Sequence, residues 1–313
     1  MGDIWKQLTK SLGPQWLLFS FMPSFAFWFM AIAGWAVHEH RLKALMQNPG
    51  VFESIIFLVL VIITAWVISL LSKTTVMFFE GYLLPPRLRR KMLAQKIRRW
   101  EEMRAKWEKL FAELHKKKHE DEDYADKLNQ FRLLDSMLVY NYPSRKENIM
   151  PTDLGNILKA SEEYPRLRYG IDPIVLWEHL YVQLPSEIRS AIDTSFNEMV
   201  LMLRTSLLSA ILGIEWVVLA MLKGITDADP AKFGLALLFL AIFGFLMKDS
   251  YRISLVAALK FSKLIRTSFD LYRDKLAEAL GIELPDDVEN ERRVWHRVTR
   301  FIYRGIPLKR GVK

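Results

Sequence analysis

Four long apolar stretches constrain this chain more than any other feature of its sequence. They cover residues 16–37, 52–71, 200–222 and 233–253. The hydrocarbon core of a bilayer is about 30 Å thick, so a helix needs about 20 mostly apolar residues to cross it. The sequence therefore predicts a polytopic membrane protein with four transmembrane helices.

The composition agrees with this prediction, because apolar and charged residues are both abundant. Of the 313 residues, 51% are hydrophobic and 25% are charged, and the formal net charge is +9. A uniform soluble domain and a disordered chain both fit this combination poorly. The chain has no cysteine, which excludes disulfides, thiolate metal sites and cysteine nucleophiles. We expect an all-α fold, with a helical cytoplasmic domain between the second and third spans.

The first apolar stretch contains a proline but no charge. Pro23 and Ser24 lie in its first half. A proline removes one helical hydrogen bond, which a hydroxyl or a neighbouring helix can replace, so we expect a kink and not a break. A cleaved signal peptide is the alternative. The stretch is too long for one and lacks a small-residue cleavage site, so we interpret it as an anchor.

The orientation of the spans follows from the basic residues that flank them, since cytoplasmic flanks carry the excess of Lys and Arg. Residues 38–50 and 224–232 contain few of them. The segment after Pro86 and the C-terminal tail are rich in them: Arg87, Arg89, Arg90, Lys91, Lys96, Arg98 and Arg99 in the first, and Arg292, Arg293, Arg297, Arg300, Arg304, Lys309, Arg310 and Lys313 in the second. We predict a multi-pass protein of the plasma (inner) membrane with both termini in the cytoplasm.

These assignments divide the chain into four parts. Residues 1–85 form an N-terminal membrane hairpin, 86–190 a helical cytoplasmic domain, 191–262 a C-terminal membrane hairpin, and 263–313 a basic cytoplasmic tail. The second span is expected to continue as helix through Phe79 and to stop at Pro85-Pro86, because proline cannot donate a backbone hydrogen bond. A short turn near Pro230 should join the last two spans.

Two charged helices are predicted in the central domain. Apolar residues recur at helical spacing from Leu88 to Leu114, and a second helix from near Glu122 would return against the first. The interleaved charges are typical of a solvated or oligomer-facing helix, as in a coiled coil. His115 and His119 have the i, i+4 spacing of a two-histidine metal site. Three lysines separate them, so we expect a solvated turn and no metal.

The basic run Arg87, Arg89, Arg90 and Lys91 has two interpretations. Clustered Lys and Arg are the footprint of nucleic-acid binding. The run also directly follows a membrane span, where each basic residue gains about 1 kcal/mol from anionic lipid. We therefore expect contact with lipid headgroups and no nucleic-acid partner.

Residues 151–190 carry signals for three helices in succession. Thr152 or Asp153 is expected to cap a helix that ends near Tyr164-Pro165, and Asp172 precedes a proline at the first position of the next helix. Ser186 should cap a third helix that runs unbroken into the third span, because no breaker occurs before Gly213.

Part of this region resembles a known signature. The string LGNILKASEEYPRLRYGIDPIVLWEHLYVQLP, with its motif at residues 155–185, resembles the pattern GN-x-L-R-A-x-E-x-YP, RYG-x-D, LWP-x-L and LP of a broad set of uncharacterised bacterial membrane proteins. The chain has Lys159 where Arg is usual and Glu178 where Pro is usual. The resemblance covers about 35 residues and implies a bacterial plasma-membrane protein, with no established activity to transfer.

Four residues in this region form a candidate corner for a ligand or a protein partner: Tyr164, Arg168, Tyr169 and Asp172. Tyr and Arg near an aspartate cap are also common in the packing of helix corners. We favour the structural interpretation.

Ionisable residues inside the predicted spans are the second group of candidates. They are Arg204, Glu215, Lys248, Asp249 and Arg252. Such residues are costly in lipid and face a partner or water. Arg204 and Asp249 fall at similar depth and are expected to pair. The alternative is a pore in which the basic residues favour anions.

No Walker loop, GxGxxG, GxSxG, HExxH or EF-hand spacing occurs, so we predict no enzyme, cofactor or metal. The first functional hypothesis is a homo-oligomeric channel, since the order of parts is similar to that of large-pore channels such as the pannexins. The second is a non-conducting scaffold or regulatory anchor that docks a cytoplasmic protein. The third is a membrane enzyme that acts on a lipid or a small polar ligand. Membrane lipids and further copies of the chain are the expected partners.

Overall fold

The computed structural model describes residues 16–38, 50–116, 123–227 and 230–307, without the side chains of residues 37, 38, 223–233 and 236. Every regular element in these ranges is helical, so the predicted all-α class is confirmed for the part of the chain that is described.

Ten α-helices follow one another along the described ranges. Their bounds are α1 Met22–His38, α2 Val51–Leu70, α3 Ser72–Glu80, α4 Pro86–Lys116, α5 Tyr124–Asn141, α6 Asp153–Tyr169, α7 Pro173–Tyr181, α8 Ser186–Asp227, α9 Pro230–Ala279 and α10 Val288–Arg304. A π-helical turn, Leu17–Phe21, precedes α1, and a 3₁₀ turn, Lys146–Asn148, follows α5.

Three helical segments of the described chain are long and apolar enough to cross a membrane. They are Leu17–Ala36, Val51–Leu70 and Ser186–Leu222. The fourth predicted span lies in the first half of α9, whose backbone is helical from Pro230, but several of its side chains lie outside the described ones. The structure thus supports a membrane protein with three candidate spans.

Two helix boundaries differ from the sequence prediction. The second span continues as helix past Phe79, as predicted, but with an interruption at Leu71 that was not predicted, since α2 ends at Leu70 and α3 runs from Ser72 to Glu80. The helix predicted to end near Tyr164-Pro165 runs to Tyr169, with Pro165 inside it. Its last turn is held by the Tyr169 hydroxyl, which donates to Asp270 at 2.7 Å, and α6 ends only at Gly170, in the left-handed conformation with φ +72°.

Other start signals are confirmed. The Thr152 hydroxyl accepts a hydrogen bond from the Gly155 amide at 3.0 Å, and the Asp172 carboxylate accepts one from the Ile174 amide at 3.1 Å. The third helix runs unbroken from Ser186 to Asp227, as predicted. Ser186 is its first residue and not its cap, since the Ser186 hydroxyl donates to Glu187 Oε1 at 2.9 Å. Helices α4 and α5 pack against each other, with Lys127 Nζ at 2.7 Å from Glu113 Oε2 and the Trp107 indole donating to Asp135 Oδ1 at 2.9 Å.

The chain divides into two compact units. We call residues 1–77 and 197–256 the apolar unit, and residues 78–196 and 257–313 the polar unit. Among its described residues the apolar unit has small buried clusters, one around Trp216 and Phe243 and one around Phe21 and Val61. The main core of the polar unit lies around Phe269 and Trp295 and is built mostly from α7, α9 and α10.

Candidate functional site

The guanidinium of Arg204 ties three segments of the apolar unit together. Arg204 lies on α8 and is 5% exposed. Its Nη1 donates to the Phe19 carbonyl at 2.7 Å and to Ser20 Oγ at 3.1 Å. Its Nη2 donates to the Ile68 carbonyl at 3.1 Å and to Ser72 Oγ at 2.6 Å.

The acceptors of Arg204 lie where two helices are irregular. Pro23 has no N–H to offer to the carbonyl four residues earlier, which is that of Phe19. The π-helical turn precedes α1 at this point, so the Met22 amide donates to the carbonyl of Leu17, five residues earlier, and not to the carbonyl four residues earlier as in an α-helix. Ile68 lies three residues before the interruption between α2 and α3. Both carbonyls therefore accept a hydrogen bond from an arginine of another helix, which is how irregular backbone is tolerated in lipid.

This geometry uses most of the hydrogen-bonding capacity of Arg204. A guanidinium has five N–H donors, and the four on Nη1 and Nη2 match the four acceptors of the apolar unit. Nε is buried without a hydrogen-bond partner. With four of five donors engaged by the protein itself, Arg204 can hold helices together but has little capacity left to bind an ion.

The other intramembrane candidates are not brought together with Arg204. The expected pair between Arg204 and Asp249 is wrong for the described residues, since Arg204 donates to backbone carbonyls and serines instead. Lys248 and Arg252 are exposed on α9, while Asp249 and Glu215 are half-buried. Their roles stay a prediction.

In the polar unit, a carboxylate of α9 gathers two of the corner residues. The Tyr164 hydroxyl donates to both oxygens of Asp270, at 3.0 and 3.1 Å, and the Tyr169 hydroxyl donates to Oδ1 at 2.7 Å. Burial, together with the hydrogen bond to this carboxylate, raises the pKa of the Tyr169 phenol. Both phenols therefore act here as hydrogen-bond donors.

Arginines surround the two tyrosines. Arg266 is 6% exposed and lies over the Tyr164 ring, with its Cζ 5.1 Å from the ring centroid. Arg273 lies over the Tyr169 ring at 4.5 Å and donates through Nε to Glu291 Oε1 at 3.0 Å. Burial lowers the pKa of the Arg266 guanidinium.

Glu291 closes this network from α10. It is 5% exposed, and the same Oε1 accepts a hydrogen bond from the Trp295 indole at 3.1 Å. The sequence prediction included neither Asp270 nor Glu291. The i, i+4 spacing of Arg266 with Asp270 and of Glu291 with Trp295 was the only local signal, because the tyrosine partners lie about 100 residues away.

The remaining corner residues do not bind Asp270 directly, although Arg168 hydrogen-bonds to Tyr164 and lies close enough to interact with the charge of that carboxylate. Asp172 caps α7 and pairs with Arg166, with Nη2 to Oδ2 at 3.0 Å. Arg168 is exposed, with its Cζ 6.0 Å from the centroid of the Tyr164 ring. Since Tyr164 and Tyr169 are engaged with Asp270, the contacts fit the structural interpretation of the corner.

Residues of the signature have structural roles in the polar unit. A Cβ on Gly155 would lie 2.6 Å from the Glu80 carbonyl, and a Cβ on Gly170 would lie 2.8 Å from the Arg292 carbonyl. The fully buried Asn156 bonds the loop before α6, accepting from the Met150 amide at 2.7 Å and donating to the Met150 and Thr152 carbonyls at 2.9 and 2.8 Å. These positions fix close backbone contacts.

Glu80 of the polar unit has a pKa that lies near neutral pH. Its carboxyl is half-buried, and its pKa is raised from 4.5 to about 7, chiefly by burial and also by the nearby Glu162. Lys159 acts in the opposite direction. Glu80 thus changes charge near neutral pH.

The predicted lipid-contact residues Arg87, Arg89, Arg90 and Lys91 are all exposed at the start of α4. His115 Nδ1 lies 2.9 Å from the Phe111 carbonyl, within hydrogen-bond distance, and His119 lies outside the described residues. Within the described ranges no group of three or more His, Cys, Asp or Glu residues is placed to hold a metal ion.

Comparisons with known proteins add no function to this geometry. No family model, curated protein or solved structure matches the chain. The resemblance of residues 155–185 to bacterial membrane proteins therefore stays a prediction.

Proposed function

We propose that this protein is a non-conducting membrane anchor that presents its helical polar unit to a cytoplasmic protein partner. In this proposal the chain crosses the plasma membrane four times, with both termini in the cytoplasm. The single observation that carries it is the hydrogen bonding of Arg204, whose donors bind the irregular turns of two other helices.

A buried charge carries a large desolvation cost. A cation inside a membrane span needs interactions that offset its desolvation, either with other protein groups or with water and ions in a pathway. An arginine that selects ions needs free donors facing water, whereas Arg204 is 5% exposed and has four donors engaged. Its contacts support a role in holding the membrane helices in one arrangement.

Ion flux and particle mass test the anchor proposal directly. The full chain would be reconstituted into liposomes for chloride and potassium flux, and its mass in detergent measured by light scattering. We expect flux equal to that of empty liposomes. Flux above that level that changes with Lys248→Ala or Arg252→Ala would contradict the anchor.

Topology can be tested with single cysteines, because the native chain has none. Cysteines at Asp3 and Lys313 should resist a membrane-impermeant maleimide in intact cells and react after lysis. Cysteines at Lys43 and Asp227 should react in intact cells. Reaction of either terminal cysteine in intact cells would contradict the four-span orientation.

A homo-oligomeric channel is the second candidate, and one observation favours it. Lys248 and Arg252 are one helical turn apart on α9 and both are exposed. Several copies of such a helix could line an anion path. A symmetric assembly of four or more subunits with anion flux would favour this candidate, whereas a monomer or a dimer would favour the anchor.

A further inference from the structure

Helix α10 carries a line of four arginines on one face. They are Arg293, Arg297, Arg300 and Arg304, all exposed. At about 100° per residue, these positions fall within a sector of about 60°. With a rise of about 1.5 Å per residue, the line is about 16 Å long. We call these four residues the arginine stripe.

The opposite face of α10 is buried in the core of the polar unit. Trp295 is 0% exposed and Val298 is 1% exposed, and both belong to the cluster around Phe269. The Asp287 side chain caps the helix by accepting from the Asn290 amide at 3.0 Å. The arginine stripe is therefore held in place by packing on its other side.

The charge of the stripe is not neutralised within the described chain. None of its four arginines forms an ion pair with a described residue, whereas the neighbouring Arg292 and Arg273 do. The sequence from Arg292 to Lys313 contains no Asp or Glu. From Arg292 onward the chain therefore contributes only positive charge to this surface.

Two aromatic side chains flank the stripe. Phe301 is 45% exposed and Tyr303 is 72% exposed, and at about 100° per residue they lie about 80° to either side of Arg293. Exposed aromatic rings beside basic residues are typical of helices at the interface between a membrane and water.

We propose that the arginine stripe of α10 binds the anionic headgroups of phospholipids. Positive charge without internal neutralisation complements the anionic inner leaflet. Aromatic flanks fit the headgroup boundary, and the candidate spans keep the chain beside a bilayer. The contact is peripheral, because the apolar face of α10 is already used in the core. This site is separate from Arg87, Arg89, Arg90 and Lys91, and it does not depend on whether the protein conducts ions.

The test uses the full chain in nanodiscs and one reporter. Because the chain has no cysteine, His296→Cys allows a polarity-sensitive dye to be attached at an exposed position of α10 beside the stripe, with both flanking aromatic side chains kept. The nanodiscs contain either phosphatidylcholine alone or an equal mixture of phosphatidylcholine and phosphatidylglycerol. We expect a blue shift of dye emission in the mixed nanodiscs only, and we expect salt to reverse it.

Substitutions identify the source of the shift. Each arginine near an anionic surface strengthens attachment about fivefold, so changing all four to Gln should lower the ratio of attached to free helix more than about a hundredfold and abolish the shift. Changing the same four to Lys keeps the charge and should keep the shift. The matched control changes four exposed basic residues of α4 to Gln, namely Arg98, Arg99, Lys106 and Lys109, and should also keep it.

Each remaining outcome overturns the proposal. An equal shift in both lipid compositions would show that the stripe does not distinguish anionic from neutral headgroups. Loss of the shift in the α4 control, or its retention in the four-Gln variant with an unchanged melting temperature, would place the contact elsewhere. A shift that appears only when duplex DNA is added would assign the stripe to nucleic acid. If the four-Gln variant does not fold, the four-Lys variant decides the test. Because it keeps the positive charge, loss of the shift in this variant would overturn the proposal.

Discussion

Each unit contains a buried arginine whose loss of hydration must be compensated, and the two arginines have different partners. Arg204 in the apolar unit is 5% exposed and Arg266 in the polar unit is 6% exposed, and each has a buried Nε without a hydrogen-bond partner. Arg204 donates to backbone carbonyls and serines. Arg266 lies between the rings of Tyr140 and Tyr164, at 5.1 Å from each centroid, and makes one bond to the Val139 carbonyl.

The difference shows where each unit finds partners for a cation. The apolar unit is poor in charged side chains, so the acceptors come from helices that are interrupted near Pro23 and Leu71. The polar unit supplies ring faces, with the Asp270 carboxylate close by. Arg204 is therefore needed by the backbone around it, whereas Arg266 mainly fills space between aromatic rings.

The largest effect should come from Arg204→Met, which keeps an unbranched apolar stem and removes the guanidinium. The Phe19 and Ile68 carbonyls would lose their donors inside an apolar unit, and an unsatisfied buried group costs about 1–3 kcal/mol. We expect a loss of about 3 kcal/mol, measured as a lower melting temperature in detergent. Arg252→Met, at an exposed position of α9, is the control and should change little. Equal melting temperatures for the two variants would show that the surrounding backbone does not need Arg204.

The second effect tests the ion pair of the polar unit. Glu291→Gln keeps an oxygen that can accept from Trp295 but removes the charge that faces Arg273. Breaking a buried pair leaves an uncompensated cation, and we expect a loss of about 2 kcal/mol. Glu289→Gln is the control, since Glu289 is exposed and lies 3.8 Å from Arg292. A Glu291→Gln protein as stable as this control would show that Arg273, like Arg204, needs no carboxylate.

The third effect concerns pH. The pKa of Glu80 is raised to about 7 in the folded protein from an ordinary value of 4.5, so the folded state binds the proton more tightly than the unfolded state. The stability that Glu80 contributes is therefore fully present below pH 4.5 and is lost as the pH rises through about 7. Solvent reaches the half-buried carboxyl, so we expect a change of about 2 kcal/mol. Glu80→Gln should flatten this dependence in urea or thermal unfolding of the full chain, and an unchanged slope would argue against it.

The smallest effect should come from Arg266→Met. The methionine stem can still pack between Tyr140 and Tyr164, and only one carbonyl loses a donor, so we expect a loss of about 1 kcal/mol. Arg204→Met and Arg266→Met thus form a matched pair in one background. A larger loss at Arg266 than at Arg204 would reverse the order that the contacts predict.

The sequence predicted the helices better than the contacts between them. Thr152, Asp172 and Pro173 act locally, so their roles in starting helices could be read from spacing alone. The replacement of the bond lost at Pro23 was also expected, and the structure supplies it through Arg204, which donates to the Phe19 carbonyl at 2.7 Å.

The wrong predictions have one physical cause. Pairing Arg204 with Asp249 assumed that a charge seeks the opposite charge at the same depth, whereas a carbonyl without its helical donor is an equally good acceptor in an apolar unit. Which carbonyls are left free depends on where a helix is interrupted, as at Leu71, and the sequence does not mark that point. Asp270 was missed for a related reason, because its tyrosine partners are brought to it only by tertiary packing.

The Arg204 contact also sets an order of events during synthesis. Phe19 and Arg204 are 185 residues apart, and chains grow at about 5–20 residues per second. The first helix therefore leaves the ribosome roughly 10–40 s before the donor for its free carbonyl exists. The N-terminal helix therefore reaches its final hydrogen bonding only after the third apolar helix has been made.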